Sequence, residues 1–266
     1  MPPFLLVNPR SGGGDVDRLV AAARRRGFAV HVLAEDDDPA ELARDAPADV
    51  LAVAGGDGSL AGVAAVAAER SLPFGVVPFG TRNHFARDLG LDRRDPVAAL
   101  GVVADGEPRL VDLGRANGRP FLNNVSLGAY AQLVHVREEH RRERNAFARL
   151  RALVLVARRR DEVAVTLDGD PLRSRVVLVA NNAYDLDVLS LGGRGRLDEG
   201  VLHLYAPTGV VRANWIERRG TRFVVDAPHH RLHAAVDGEP DVLRTPVEFT
   251  IEPRALRVLA PREPRG

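Results

Sequence analysis

The run Leu51-Ala52-Val53-Ala54-Gly55-Gly56-Asp57-Gly58-Ser59, followed by an apolar helical pattern from Leu60 to Ala68, constrains this chain more than any other segment. Consecutive apolar residues suit a strand buried on both faces, and such strands belong to parallel sheets covered by helices. The glycines let the backbone turn sharply, take φ > 0 and approach a bulky group closely. The helix after them aims unpaired N–H groups at the same spot. The result is a phosphate-sized site that carries an acid. Asp57 excludes a dinucleotide fingerprint, because a carboxylate repels a bare pyrophosphate. It suits phosphates bridged by a divalent cation, or a proton handled during phosphoryl transfer. The plainer alternative is a tight strand-to-helix turn with an acid at a helix N-terminus.

Composition narrows the chemistry. The 266 residues suffice for one large or two modest domains, and a formal charge of +1 gives no global field to recruit nucleic acid. Without cysteine there are no disulfides, thiolate nucleophiles, Cys-based zinc sites or iron–sulfur clusters. Every one of the 37 basic residues is arginine. That excludes P-loop enzymes, the protein-kinase fold and Schiff-base catalysis, each of which needs a lysine. Nothing in the sequence approaches the roughly 20 apolar residues of a membrane span, and a soluble, cytoplasmic protein is expected.

Up to about residue 115 strands and helices alternate. Strands are expected at Phe4–Val7, Ala29–Leu33, Val50–Ala54 and Phe74–Pro78, and helices at Val16–Arg26, Pro39–Arg44, Leu60–Arg70, Asn83–Leu89 and Pro96–Ala104. This predicts a three-layer α/β nucleotide domain, residues 1–115, whose ligands bind beyond the carboxyl ends of the parallel strands. Three strand exits, at Asn8 to Gly14, Gly55 to Ser59 and Pro78 to Asn83, are rich in glycine and polar residues. All three should meet on one rim.

Residues 116–266 read as a mainly β domain of sandwich type, with the last strand free to return to the first domain. Its expected strands are Phe121–Ser126, Glu162–Leu167, Arg175–Ala180, Val201–Tyr205, Arg222–Val225, Arg231–Val236, Val247–Ile251 and Ala255–Leu259, preceded by Arg109–Leu113. A long helix, about Ala131 to Arg160, interrupts them, and from Arg137 to Arg160 it carries nine arginines against three glutamates. It is either a solvated basic face over an apolar stripe or a surface for an anionic bilayer.

Asn8-Pro9-x-Ser11-Gly12, Gly55-Gly56-Asp57-Gly58-Ser59, Pro78-x-Gly80-Thr81-x-Asn83-x-Phe85-Ala86-Arg87, Leu197-Asp198-Glu199-Gly200 and Asp237-Gly238-Glu239 occur in this order. The set resembles the bacterial diacylglycerol kinase and sphingosine kinase family of lipid kinases. The resemblance implies ATP- and magnesium-dependent (Mg2+) transfer of a γ-phosphoryl group to a lipid hydroxyl, with both substrates in a cleft between the domains. By the same resemblance Asn8, Ser11, Gly12, Gly13, Gly55, Gly56, Gly58, Ser59, Gly80, Thr81 and Asn83 line the nucleotide. Asp57 is catalytic and a metal ligand, Asp237 is the base for the acceptor hydroxyl, Glu239 assists it, and Glu199 stands where a structural magnesium ligand can occur. The implied partners are ATP and a lipid acceptor at a membrane surface, reached by peripheral association. Oligomeric state, a homodimer included, is left open.

On the residues alone Asp237 is less distinctive, because an Asp-Gly-acid-Pro turn idiom recurs at Asp105 to Pro108, Asp168 to Pro171 and Asp237 to Pro240. Two departures from the family pattern stand out. His84 occupies a position where many members have Asp, and Asn123 to Tyr130 lacks the Asp that often follows its glycine. A kinase for a soluble acceptor, of the NAD-kinase type, shares the Gly-Gly-Asp-Gly loop and is the alternative enzyme. A catalytically silent nucleotide- or lipid-binding protein is the alternative of another class.

Overall fold

The computed structural model describes residues 1–12, 14–128, 163–174, 176–184, 186–187, 190–191, 193–208 and 214–262. Two compact units are present: Met1–Leu113, Tyr184–Glu199 and Pro253–Gly266 form the first, Gly114–Ala183 and Gly200–Glu252 the second. The expected helix from Ala131 to Arg160 lies outside the described residues. Among the described residues no helix is long and apolar enough to cross a membrane.

The first unit contains β1 (Phe4–Val7), a 3-10 turn (Pro9–Ser11), α1 (Val16–Arg25), β2 (Ala29–Val32), α2 (Pro39–Asp45), β3 (Leu51–Gly55), α3 (Asp57–Glu69), β4 (Phe74–Pro78), α4 (His84–Asp88) and α5 (Pro96–Asp105). The strands pair in parallel in the order β2-β1-β3-β4. Every residue of β3 and β4 is buried, as two-sided coverage requires. The starts of α1, α2 and α5 agree with the sequence. Asp15, Asp38 and Asp95 accept N–H groups of the first turns of α1, α2 and α5, and Pro39 and Pro96 supply a preset φ at the first helical position.

The second unit is a β-sandwich. It is built from the end of β5 (Glu107–Ala116), β6 (Arg119–Phe121), β7 (Asn124–Gly128), β8 (Val163–Leu167), β9 (Asp170–Ser174), β10 (Val176–Asn181), β13 (Leu202–Thr208), β14 (Asn214–Gly220), β15 (Arg222–Asp226), β16 (Arg231–Val236), β17 (Glu239–Arg244) and the first half of β18 (Val247–Ala260). The two-residue strands β11 (Leu186–Asp187) and β12 (Ser190–Leu191) belong to the first unit. One sheet runs β14-β13-β10-β7-β16-β17, antiparallel throughout. The other joins β18, β15, β8 and β9. Val125, Leu127, Val179 and Leu204 of the first sheet pack with Val165, Phe223, Val225 and Phe249 of the second.

The α/β-then-sandwich fold expected from the sequence is therefore present, with differences in detail. Strands β9, β11, β12, β14 and β17 were not expected, and β6 lies almost wholly ahead of the expected strand Phe121–Ser126. Pro171 and Pro240 in β9 and β17 argue against central strands, but both strands lie at sheet edges, where a missing N–H donor is tolerated. The two expected strands at the C-terminus are one, β18, which continues through Arg254 in the left-handed region at φ 52°.

Candidate active site

The carboxyl ends of β1, β3 and β4 are in register, with Val7 beside Ala54 and Gly55 beside Pro78, so the three polar strand exits meet on one rim. Asn8 caps the 3-10 turn by accepting the Arg10 N–H at 3.0 Å, and its Nδ2 donates to Ser59 Oγ at 2.9 Å. The Gly56 N–H donates to Ser11 Oγ at 3.3 Å. Asn83 folds its own loop: the Gly80 N–H donates to its Oδ1 at 2.9 Å, while its Nδ2 donates to the Gly80 carbonyl at 2.8 Å. Asn8, Ser11, Gly56, Ser59, Gly80 and Asn83 are thus assembled in one place. Gly12 ends the 3-10 turn at φ 76°, Gly13 is outside the described residues, and Thr81 is exposed.

The signature glycines act by absence of bulk, not by left-handed backbone. Gly56 is extended at φ −87°, and Gly55, Gly56 and Gly58 are not among the glycines with positive φ. A Cβ on Gly80 would sit 2.5 Å from the Gly56 Cα, so the β3 and β4 exits touch backbone to backbone. The expectation of φ > 0 at this loop is corrected accordingly.

Asp57 does not sit in a loop ahead of the helix. Helix α3 starts at Asp57, three residues earlier than expected, because Gly56 serves as N-cap and puts the acid in the first turn, where the helix dipole favours it. The side chain, 8 % exposed, crosses to the next exit. Oδ2 accepts the His84 N–H at 3.0 Å and Oδ1 accepts the Phe85 N–H at 2.9 Å, so one carboxylate serves the starts of two helices. These donors lie 28 residues away at most, and a single acid locks two strand exits together. The neighbouring His84 imidazole is held below its ordinary pKa by burial; Asp57 and Asp88 oppose this, and Arg87 and Arg82 reinforce it. His84 is therefore neutral near pH 7.

In the second unit Asp237 opens the two-residue turn between β16 and β17, where Val236 pairs with Glu239. Asp237 has φ 50° and Gly238 φ 85°, the twist a tight hairpin needs. Its carboxylate, 8 % exposed, accepts three backbone N–H groups: Leu122 on Oδ2 at 2.8 Å, and Asn123 and Asn124 on Oδ1 at 2.7 and 3.1 Å. Three such donors fix its orientation. Glu239 is exposed at the start of β17. The segment that supplies these donors was expected as part of one strand, Phe121–Ser126, but it is the junction between β6 and β7, and its role as the seat of Asp237 was not foreseen.

Asp105 does not repeat this arrangement, because it is the last residue of α5 and not a hairpin turn. A hairpin turn of the same backbone form, outside the idiom, is Asn117-Gly118, at φ 49° and 80°, between β5 and β6.

Glu199 closes the returning segment Tyr184–Glu199 and is half-buried. Beside it, burial pushes the Asp198 carboxyl up, but the hydrogen bonds and charges of Arg196 and Arg254 outweigh this and hold it below the usual range. Among the described residues no three carboxylate or imidazole groups converge into a cation cage. The donor set fits only an ion held mainly by phosphates with one or two carboxylates, a common way for proteins to hold magnesium.

Residues 2–116 match the family model described as the diacylglycerol kinase catalytic domain. A protein named diacylglycerol kinase in Mycobacterium tuberculosis H37Rv is 33 % identical over 150 residues, 52 % of this chain and 48 % of the relative. One of that name in Staphylococcus epidermidis RP62A is 32 % identical over 140 residues, 48 % of this chain and 44 % of the relative. The chain thus spans about half the length of the curated relatives it matches. In three dimensions it is similar to a crystal structure described as a diacylglycerol kinase from Bacillus anthracis Sterne, with TM-score 0.68 at 17 % identity over 97 % of this chain and 96 % of the other, a likeness of fold. Through residues 2–116, this chain is similar to the diacylglycerol kinase catalytic domain.

Proposed function

We propose that the protein is an ATP- and magnesium-dependent lipid kinase that transfers the γ-phosphoryl group to a lipid hydroxyl of the diacylglycerol class. The observation that carries this is the rim of the first unit. There Asn8–Ser59 and Ser11–Gly56 bonds join the first two strand exits, Asn83 folds the third, two glycine backbones touch, and Asp57 holds the N–H groups at the start of α4. Such a rim brings backbone N–H groups and small residues against a ligand, which is what a polyphosphate needs.

In this reading Asn8, Ser11, Gly12, Gly13, Gly55, Gly56, Gly58, Ser59, Gly80, Thr81 and Asn83 bind and orient the nucleotide, and Asp57 maintains the geometry of the loops. Asp57 and Glu199 are the carboxylates available to magnesium, which when bound neutralises charge on the transferring oxygens. Asp237 accepts the acceptor's proton as its oxygen bonds to the γ-phosphorus and the bond to the departing ADP oxygen breaks, with Glu239 beside it. The acceptor is taken from a membrane surface.

The test is purified protein with radiolabelled ATP and magnesium, offered diacylglycerol in mixed micelles, a native membrane lipid extract, or NAD. Label in the organic phase is expected. Label in NAD would favour the soluble-acceptor enzyme, and ATP binding without transfer to any acceptor would favour a silent binding protein.

A further inference from the structure

Helix α4 carries both donors that Asp57 holds, yet at five residues it has little stability of its own. Its far end is fixed by an arginine from the returning segment. Arg194 Nε donates to Asp88 Oδ2 at 2.8 Å, with the Arg194 side chain 0 % and the Asp88 side chain 1 % exposed. The guanidinium lies 5.9 Å from the ring centre of Phe85 and 5.5 Å from that of Tyr184, so one face of the helix and one end of the returning segment close around it. Arg87 donates from Nε and Nη2 to the other oxygen, Asp88 Oδ1, at 2.9 and 2.8 Å. Burying an ion pair this completely gains little net stability over apolar packing, so stability alone is a weak reason for it. What it does supply is a fixed place for Phe85, whose backbone N–H is on Asp57 and whose ring is under Arg194.

The geometry points to Arg194 as a positioning residue for the nucleotide site: clamped on Asp88 between Phe85 and Tyr184, it holds α4 so that the His84 and Phe85 N–H groups stay on Asp57. This rests on the reading that the rim of the first unit binds MgATP. Nothing in the sequence motifs singles out Arg194, which stands three residues before Leu197-Asp198-Glu199-Gly200.

The decisive variant is Arg194→Met, which keeps an unbranched apolar stem without the guanidinium and leaves Asp88 its contact with Arg87. Should it fail to fold, Asp88→Asn/Arg194→Met removes both charges of the buried pair and replaces it. Two readouts are taken on each: amide hydrogen exchange at His84 and Phe85, and the dissociation constant for MgATP. A control, Phe249→Leu in the sandwich core, is used at the temperature that matches the loss of overall stability. The clamp predicts exchange at both amides faster by tenfold or more in the Arg194 variants but not in the control, and MgATP binding weakened by tenfold or more. It also predicts that Arg194→Lys, which restores charge without the planar stack, recovers part of both. Exchange equal to the control, or faster exchange with unchanged MgATP binding, overturns the inference. Wild-type protein that binds no MgATP overturns the functional reading instead, and the exchange readout then still decides whether Arg194 holds α4 on Asp57.

Discussion

The β8–β9 and β16–β17 hairpins are built from the same four-residue idiom and end in different chemistry. In both, an Asp-Gly pair takes two consecutive positive φ values, 52° and 94° at Asp168-Gly169 and 50° and 85° at Asp237-Gly238. In both, the Asp N–H donates to a carbonyl of the adjoining strand, Val224 for Asp168 and Asn124 for Asp237, and a carboxylate oxygen accepts the N–H of that same residue. There the likeness ends. Asp168 is exposed and holds one donor, whereas Asp237 is buried and holds two more, from Leu122 and Asn123. Local sequence sets the turn. The chain packed against the turn sets whether its acid is a solvated cap or a fixed, buried anion.

Asp237→Asn should give the largest effect and test this distinction hardest. An amide presents one acceptor and one donor where three N–H groups converge, leaving a buried donor facing donors, at a cost of about 1–3 kcal/mol in stability. If Asp237 also takes the proton of the acceptor hydroxyl, kcat should fall at least about a hundredfold with MgATP affinity nearly unchanged. Equilibrium unfolding together with steady-state kinetics separates the two. A loss of stability with kcat intact would make the turn purely structural.

Asp57→Asn should come next. Two backbone donors instead of three put its stability cost toward about 1 kcal/mol. Turnover should fall on the order of a hundredfold if Asp57 acts on the phosphates or their cation. Because its donors are the start of α4, slowed turnover should be accompanied by faster amide exchange at His84 and Phe85. Activity above about a tenth of wild type would argue against the role.

These two acids show how far the sequence could be read. The Gly-Gly-Asp-Gly run made the strand, the turn and the helix legible, since each depends on neighbours in the chain. It did not reveal that α3 begins at Asp57, that the glycines serve a backbone contact with Gly80, or that the carboxylate caps α4, because those depend on a loop that arrives from the next strand. Asp237 was singled out by resemblance alone, and the strand expected over Phe121–Ser126 gave no sign that its Leu122, Asn123 and Asn124 N–H groups converge on that acid. The edge strands β9 and β17 were hidden by their prolines, which are readable only once the edge is known.

Asp168→Asn is the matched control and should be nearly silent. Asn accepts the Val224 N–H through its own Oδ1 and tolerates the left-handed backbone, as Asn117 does at φ 49° in the β5–β6 turn while accepting the Glu248 N–H at 2.8 Å. A stability change within about 0.5 kcal/mol and unaltered kcat are expected. If Asp168→Asn cost as much as Asp237→Asn, burial and donor number would not be what separates the two turns.

The smallest effect belongs to an acid near the surface that combines one backbone donor with a side-chain partner. Asp37 Oδ2 accepts the Ala34 N–H at 2.8 Å and lies 2.7 Å from His31 Nε2, and the hydrogen bond from His31 is the main cause that holds its carboxyl below the ordinary value, with Ala34 and the charges of His31 and Arg10 adding to it. A carboxyl whose folded-state pKa is depressed binds its proton less readily folded than unfolded. Its stabilisation is therefore present above the unfolded value, about 3.9, and is lost as pH falls through the folded one. An NMR titration of the side chain should show the low value, and His31→Ala should return it toward the ordinary range. Melting temperatures of wild type and His31→Ala should differ slightly at neutral pH and converge as the acid limb is reached. A difference that grew on acidification would mean that the pair acts through some state other than the ionised Asp37, and would set this acid apart from Asp57 and Asp237, whose carboxylates are held by backbone N–H groups.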